Sequence, residues 1–409
     1  MAIGSSKRML RRSNEPCSCA FYFCPAARGL LAEGDIMRSI SNTIGRLAAL
    51  RAHRSRQSPP AAAGGLTELR DFGSNPGALD AWYYVPKSAS AGAPLVVVLH
   101  GCTQNAAGYN SGSGWSQLAD EYGFALLFPE QRRANNMNLC FNWYEPGDGR
   151  RGEGEPLSII QMVEAMMDRH AIDPARIYVN GLSAGGAMTS VMLATYPDVF
   201  AGGAIIAGLA FDTATSVPQA FDRMRGHGGP ADKALAASVR AASQHSGPWP
   251  TISIWHGTSD HIVVPSNADA ILAQWRALHG VAAEPDVVDK VDGYPRRAWL
   301  DAKGRTVIES YLITGMGHGT PLSSHGEAGY GQSGAHMLEV AISSTRHIAQ
   351  FWGLTESARR ADPAAMKEVV IPRRIEPAAA NDYEPEPNPA PDGVKKVIED
   401  ALRAAGLMR

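Results

Sequence analysis

Between Leu95 and Ile313 short apolar runs recur, and stretches of helical periodicity separate them. Leu95-Val96-Val97-Val98-Leu99 offers no polar side chain to either face. A strand of this kind must be covered on both sides, the situation of a parallel sheet lying between helices. Phe124 to Phe128 is a second run, closed by Pro129. Arg176 to Asn180, Gly203 to Ile206, Thr251 to Trp255 and Val307 to Ile313 follow. Pro156 to His170 puts Ile159, Ile160, Val163 and Met167 on one helical face. Ser266 with Asp269 makes a capping-box pattern that opens a helix to Leu278. Leu66 to Pro86 reads as a pair of antiparallel strands at the sheet edge. The alternation predicts a mostly parallel central sheet with helices on both faces.

The chain has 409 residues, more than such a core needs, and composition divides it. Residues 66–354 carry the alternation. Residues 1–65 read as a basic tail and linker: ten Lys/Arg stand against three Asp/Glu before Pro59, and the stretch ends in Pro, Ala and Gly. Residues 355–409 are Pro-rich, a poor composition for a packed core, and close on a short amphipathic helix from Asp392 to Leu407. The N-terminus is not a good secretory signal, because Asn14, Glu15 and Pro16 interrupt any apolar region. Met37 precedes an amphipathic pattern from Ser41 to Arg54, so residues 1–36 read as an upstream extension. A net charge of -2 gives no global reason for a nucleic-acid or membrane partner, and no apolar run approaches a membrane span.

Chemistry concentrates at Gly181-Leu182-Ser183-Ala184-Gly185. This G-x-S-x-G lies directly after an expected strand and directly before an expected helix, Ala184 to Thr195. So tight a turn holds its serine at unfavourable backbone angles and leaves little room for flanking side chains. The helix that follows aims its free N–H groups and dipole at the place where negative charge develops. The ordinary alternative is a glycine-rich turn with an unremarkable serine.

A serine nucleophile needs a base, and the base needs an orienting acid. His256-Gly257-Thr258-Ser259-Asp260 follows the fifth run, and Gly315-Met316-Gly317-His318-Gly319 follows the sixth. Asp260 and His318 therefore fall at the carboxyl edge of the sheet, as Ser183 does. His325 is the rival base, and His256 reads as structural. The oxyanion donors are the backbone N–H groups of Ala184 and of Cys102 in His100-Gly101-Cys102-Thr103-Gln104. Cys102 as the nucleophile is the competing reading, opposed by Ser183 already occupying the turn. Cys102 and Cys140 either form a bridge or remain free thiols. Trp143 and Tyr144 supply apolar walls for substrate or belong to the core. The segment from Gly208 to Pro250 is a lid insertion with one helix, Ala231 to Ser243. No motif for a cofactor is present, and Cys17 with Cys19 lacks the further ligands of a metal site.

These stretches together resemble a known family. LVVVLHGCTQ from Leu95, CFNWY from Cys140, IDPARIYVNGLSAGGAMT from Ile172, HGTSD from His256 and GMGH from Gly315 are similar to the poly(3-hydroxybutyrate) depolymerase-type esterases. Their relatives include feruloyl and acetylxylan esterases. The resemblance spans roughly residues 70–353. It implies the α/β-hydrolase fold, a Ser–His–Asp acyl-enzyme mechanism on Ser183, His318 and Asp260, and a small or polymeric hydroxyalkanoate ester as partner. It also implies an extracellular location, with the cytoplasm as the alternative. Two features depart from the polymer-degrading members. His318 is followed by Gly319-Thr320-Pro321, where those members often carry Ala-Trp-Pro, and the C-terminal extension does not read as a folded polymer-binding module. A carbohydrate esterase or a peptidase remains open on the same scaffold. A non-catalytic binding protein is the reading from another class, and the intact trio opposes it.

Overall fold

The computed structural model describes residues 65–326 and 329–355. The expected helices at Ser41–Arg54 and Asp392–Leu407, the N-terminal cysteines and both tails lie outside them.

Two short strands open the fold, β1 (Thr67–Glu68) and β2 (Asp80–Tyr84), paired antiparallel as the Leu66–Pro86 pattern predicts. Then come β3 (Ala93–Leu99), α1 (Ala106–Ser113), α2 (Trp115–Tyr122), β4 (Ala125–Glu130), α3 (Gly154–His170), β5 (Ile172–Leu182), α4 (Ala184–Thr195) and β6 (Gly202–Ile206). The second half supplies α5 (Val217–Met224), α6 (Asp232–Ala242), β7 (Thr251–Gly257), α7 (Ser266–His279), β8 (Val287–Val291), β9 (Tyr294–Leu300) and β10 (Thr306–Ile313). It closes with β11 (Thr320–Leu322), β12 (Met337–Glu339) and α8 (Ser344–Phe351).

Ten strands form one sheet in the order β1-β2-β4-β3-β5-β6-β7-β10-β9-β8. The centre, from β4 to β10, is parallel, and the flanks are antiparallel. Alternation along β3 explains the layering. Leu95, Val97 and Leu99 enter an apolar layer with Ile160 and Val163 of α3 and Val191 of α4. Val96 and Val98 enter the opposite layer with Tyr109 of α1, Leu118 of α2 and Ile348 of α8. Each of these β3 side chains is at most 1% exposed. Full burial of such a side chain stabilises by roughly 1.5–3 kcal/mol.

The chain leaves β3 toward β4 on one side and later leaves β5 toward β6 on the other. The crevice between the carboxyl ends of β3 and β5 is thus the point where strand order reverses, the usual ligand position in an open α/β sheet.

Three local expectations are corrected, and one element was not foreseen. Pro129 does not stop its strand, and β4 continues to Glu130. β3 pairs with β4 only as far as Leu127, so the proline sits where one side of β4 has no partner strand. Ser266 makes no capping box: Pro265 is the N-cap of α7 and no side chain caps it. The Gly208–Pro250 insertion holds α5 as well as α6. The β8–β9 hairpin escapes the pattern because β8 is a polar edge strand. Its signal is Asp292-Gly293, both at positive φ, the turn pair that a tight hairpin requires.

Candidate active site

The turn after β5 is strained as its sequence demands. Ser183 has φ 57° and ψ -116°, a conformation that costs a non-glycine residue about 1–3 kcal/mol. Packing over-determines it. A Cβ on Gly181 would lie 2.4 Å from the Gly185 backbone, and one on Gly185 would lie 2.3 Å from the Leu99 carbonyl oxygen. Ser183 N–H donates to the Ile206 carbonyl at 2.9 Å, which ties the turn to β6. Ala184 is the first residue of α4, so its N–H has no acceptor within the helix.

The loop after β3 is held from several directions. Cys102 is bridged to Cys140 by a disulfide. Gly101 N–H donates to Gln104 Oε1 at 2.8 Å, and Thr103 N–H donates to the Asn138 carbonyl at 2.7 Å. His100 Nδ1–H donates to the Gly101 carbonyl, and its Nε2 accepts from Gln131 N–H. Burial pushes this imidazole down to about 4, so it stays neutral in that tautomer. Glu155, fully buried, accepts from Gln131 Nε2 at 2.6 Å and from Asn142 N–H at 2.9 Å, and burial raises its carboxyl well above the usual range. Between these anchors the Cys102 N–H donates to no protein group among the described residues.

Asp260, on the loop after β7, is fully enclosed. Its Oδ1 accepts the Ile262 and Val263 N–H groups at 2.9 Å each, and its Oδ2 accepts His318 Nδ1–H at 2.7 Å. Burial alone would raise this carboxyl. The His318 bond and charge, the His256 charge and the Val263 N–H together carry it below its ordinary value, so it is ionised. An ionised carboxylate on Nδ1 makes that nitrogen the protonated one and leaves Nε2 as an acceptor. His256 also approaches Asp260, at 3.5 Å, but its Nε2–H donates to the Val263 carbonyl at 2.7 Å. Its Nδ1 is buried without a partner, and burial lowers its pKa. It is a wall of the Asp260 pocket.

The segment after β10 explains how His318 reaches the crevice. Beyond the Asp260 contact, Thr320 Oγ1 hydrogen-bonds Tyr109 of α1 at 3.2 Å, and Gln332 N–H donates to the Gly112 carbonyl at 3.0 Å. The chain thus returns from β10 to the helix that follows β3, across the carboxyl edge that includes the end of β5. No hydrogen bond among the described residues joins His318 to Ser183 Oγ, a contact that resting active sites commonly hold long. His325 is exposed and lies near Glu339, and no hydrogen bond or ion pair joins it to Asp260 among the described residues. Trp143 is 9% exposed and packs edge-on to Tyr144 in the layer that also holds Ala184. Among the described residues no ring contact or hydrogen bond links either aromatic to Ser183, Asp260 or His318.

Sequence reasoning missed His336. Its Nδ1–H donates to the His318 carbonyl at 3.1 Å, and the two rings meet edge to face at 5.7 Å. It has φ 58°, and its own carbonyl accepts Thr320 N–H at 2.8 Å. Nothing in its polar, aperiodic loop announces a partner 18 residues upstream.

Comparison with known proteins follows from this geometry. The family model described as Esterase PHB depolymerase matches residues 79–287. Poly(3-hydroxyalkanoate) depolymerase C of Paucimonas lemoignei is 49% identical over 294 residues, covering 71% of this chain and 70% of that one. An acetylxylan esterase of Coprinopsis cinerea is 31% identical over 280 residues, covering 65% of this chain and 72% of that one. The solved acetyl xylan esterase from Aspergillus awamori superposes with a TM-score of 0.61 at 24% identity, covering 71% of this chain and 100% of that one, which speaks to fold. A match across half of the sequence, and near-half identity to a relative over most of its length, settle the family. The chain belongs to the esterase PHB depolymerase family and is an α/β-hydrolase-fold serine hydrolase of carboxylic esters.

Proposed function

We propose that the protein hydrolyses hydroxyalkanoate esters through an acyl-enzyme on Ser183, with His318 as base, Asp260 as its orienting acid, and the N–H groups of Cys102 and Ala184 as oxyanion donors. The observation that carries the mechanism is the 2.7 Å bond from His318 to the enclosed Asp260, on a segment crossing the edge where Ser183 is strained. Ser183 Oγ adds to the ester carbonyl carbon while its proton passes to His318 Nε2. The carbonyl π electrons move to oxygen, facing the two N–H donors. Collapse expels the alcohol, which takes the proton from His318. A water then repeats the sequence on the acyl-enzyme, its proton again going to His318, and releases the acid. Asp260 stays ionised throughout, holding the tautomer and stabilising the imidazolium.

The substrate class rests on the name of the 49%-identical relative, a depolymerase of poly(3-hydroxyalkanoate). Trp143 and Tyr144 are proposed as walls on the acyl side, reached through the Cys140 loop. The Cys102–Cys140 bridge supports an oxidising, extracellular location. Among the described residues no helix is long and apolar enough to cross a membrane.

A substrate panel tests the reading: p-nitrophenyl esters of several lengths, linear hydroxybutyrate oligomers, acetylated xylan, feruloyl sugars and peptide amides. The highest kcat/KM among natural bonds is expected on hydroxybutyrate oligomers. A higher value on acetylated xylan or feruloyl sugars would assign the enzyme to carbohydrate instead.

A further inference from the structure

Glu155, in the first turn of α3, is a fully buried carboxyl that has no step in the mechanism above. Its N–H donates to Asp148 Oδ1 at 2.8 Å. Gly77 covers it so closely that a Cβ there would stand 2.5 Å from the Glu155 Cα. Among the described residues no ion pair reaches it. Burying a carboxyl without a cation costs free energy that its hydrogen bonds must offset, so its role lies in what its two oxygens hold.

Oε1 accepts from Gln131 Nε2 and Oε2 from Asn142 N–H, the two ends of the segment 131–142. Gln131 is buried and fully spent. Its Nε2 also donates to the Cys140 carbonyl at 3.0 Å, and its Oε1 accepts Arg132 N–H at 3.0 Å and Asn135 Nδ2–H at 2.7 Å. Asn136 braces the segment from within. Its Oδ1 accepts Asn138 N–H and Cys140 N–H at 3.0 and 3.3 Å, and its Nδ2 donates to Asn142 Oδ1 at 2.9 Å. The segment then holds the loop after β3 at three places. Gln131 N–H donates to His100 Nε2 at 3.1 Å, Cys140 is bridged to Cys102, and the Asn138 carbonyl accepts Thr103 N–H at 2.7 Å. The unpaired Cys102 N–H therefore lies between ties that all lead to a segment closed by Glu155.

From this we infer that Glu155, acting through Gln131 and Asn142, is a positioning residue for the Cys102 N–H as oxyanion donor. An irregular segment cannot pair its backbone groups in a ladder, and one carboxyl that takes a donor from each end fixes its span. A carboxyl does this whether ionised or neutral, because both oxygens accept, whereas an amide accepts through one oxygen alone. An oxyanion donor works only when aimed to within about 2.7–3.1 Å of the developing charge. A small displacement of the loop therefore weakens transition-state binding and leaves ground-state binding almost untouched. The inference rests on the acyl-enzyme reading above and adds what sets the aim of one donor.

Glu155→Gln tests it, since the new NH₂ must face Gln131 Nε2 or Asn142 N–H, donor against donor. Two quantities are read: kcat and KM on p-nitrophenyl butyrate, per active site titrated with diethyl p-nitrophenyl phosphate, and the inhibition constant of butylboronic acid. Ser183 Oγ adds to the boron, its proton passes to His318, and the tetrahedral boronate turns an oxygen toward the oxyanion donors. In Glu155→Gln kcat is expected to fall about tenfold and the boronate constant to rise about tenfold, a part of what losing a whole donor costs, with KM within about twofold. Asn135→Ala, at an exposed position, removes one hold on Gln131 Oε1 without burying anything unpaired in the core. It is expected to move both quantities about threefold in the same directions, and it decides the matter if Glu155→Gln does not fold. A boronate constant unchanged in every folded variant would overturn the proposal, as would a rise in KM with kcat intact. A purely structural Glu155 would lower the melting temperature and the titrated fraction while leaving kcat per active site at the wild-type value, which also overturns it. A wild-type enzyme that butylboronic acid fails to inhibit would refute the acyl-enzyme reading itself, whereas inhibition equal in wild type and variants would refute the role of Glu155 alone.

Discussion

The turn at Gly181–Gly185 and the return from Thr314 to Ser343 build the two halves of one site by opposite means. The turn is local. Its geometry follows from a strand, a helix and two positions where a methyl group would strike backbone at 2.4 Å or less. The return is held by partners far away in sequence: Tyr109 to Thr320, Gln117 to Gly331 and Ser113 to Thr345 are separated by 211, 214 and 232 residues. The proposed nucleophile thus sits on a turn short in sequence and braced by the adjacent strands β3 and β6, whereas the proposed base is positioned only after both ends of the domain have assembled. The two histidines beside Asp260 sharpen the point. Both approach the carboxylate, but the His256 Nε2 that does so donates to the Val263 carbonyl and its Nδ1 is buried without a partner, whereas His318 bonds Asp260 through Nδ1 and keeps Nε2 clear of protein hydrogen bonds among the described residues.

The largest effect is expected at the turn. Ser183→Ala should reduce kcat by a factor on the order of 10⁶, with an unchanged melting temperature. Retention of more than a few per cent of activity would remove Ser183 from the mechanism. Asp260→Asn should cost roughly 10⁴ in kcat, because a neutral amide no longer enforces Nδ1–H on His318. Asp260 titrates below its ordinary value in the fold, so it contributes stability that is present at neutral pH and lost as pH falls through the folded value. Denaturant titrations should show the acid sensitivity of stability reduced in Asp260→Asn. A variant with wild-type rates would show that the return works without its anchor.

Gly185→Ala probes the turn through packing. Its Cβ would meet the Leu99 carbonyl at 2.3 Å, and backbone cannot retreat as a side-chain end can. A loss of about 3 kcal/mol in urea unfolding is expected. A loss under 1 kcal/mol would mean that the turn is less constrained than its geometry requires. The smallest effect belongs to the return. His336→Ala should lower kcat on p-nitrophenyl butyrate about tenfold with KM little changed, as the His318 loop loses one hydrogen bond of ordinary strength. His336→Asn should restore most of it, since asparagine supplies an N–H and tolerates positive φ. Equal rates in the alanine and asparagine variants would assign His336 to packing alone.

Much of the parallel centre was legible because strands buried on both faces are largely apolar, and β3 and β6 read accordingly, while β10 buries Glu309 and Ser310 among its apolar residues. The β8–β9 hairpin was not, since an exposed edge strand such as Val287–Val291 needs no apolar face, and Val288 is 71% exposed. The strand–turn–helix setting of Ser183 was legible in five consecutive residues, although the Leu99 carbonyl of β3 and the Ile206 carbonyl of β6 complete its constraint. The sequence also put Asp260 and His318 at strand ends, because the chain order of strands is written in it. It favoured His318 over His325 by its nearness to the strand end, though both lie in polar, glycine-containing loops, and it could not say whether Cys102 and Cys140 are joined. It gave no sign of His336. These were decided by the return of the chain from β10 to α1 and by the loop packing it brings about. The physical reason is range. Burial pattern and backbone sterics act between near neighbours and leave a trace in the sequence, whereas a hydrogen bond across 200 residues constrains neither participant's surroundings until the fold brings them together.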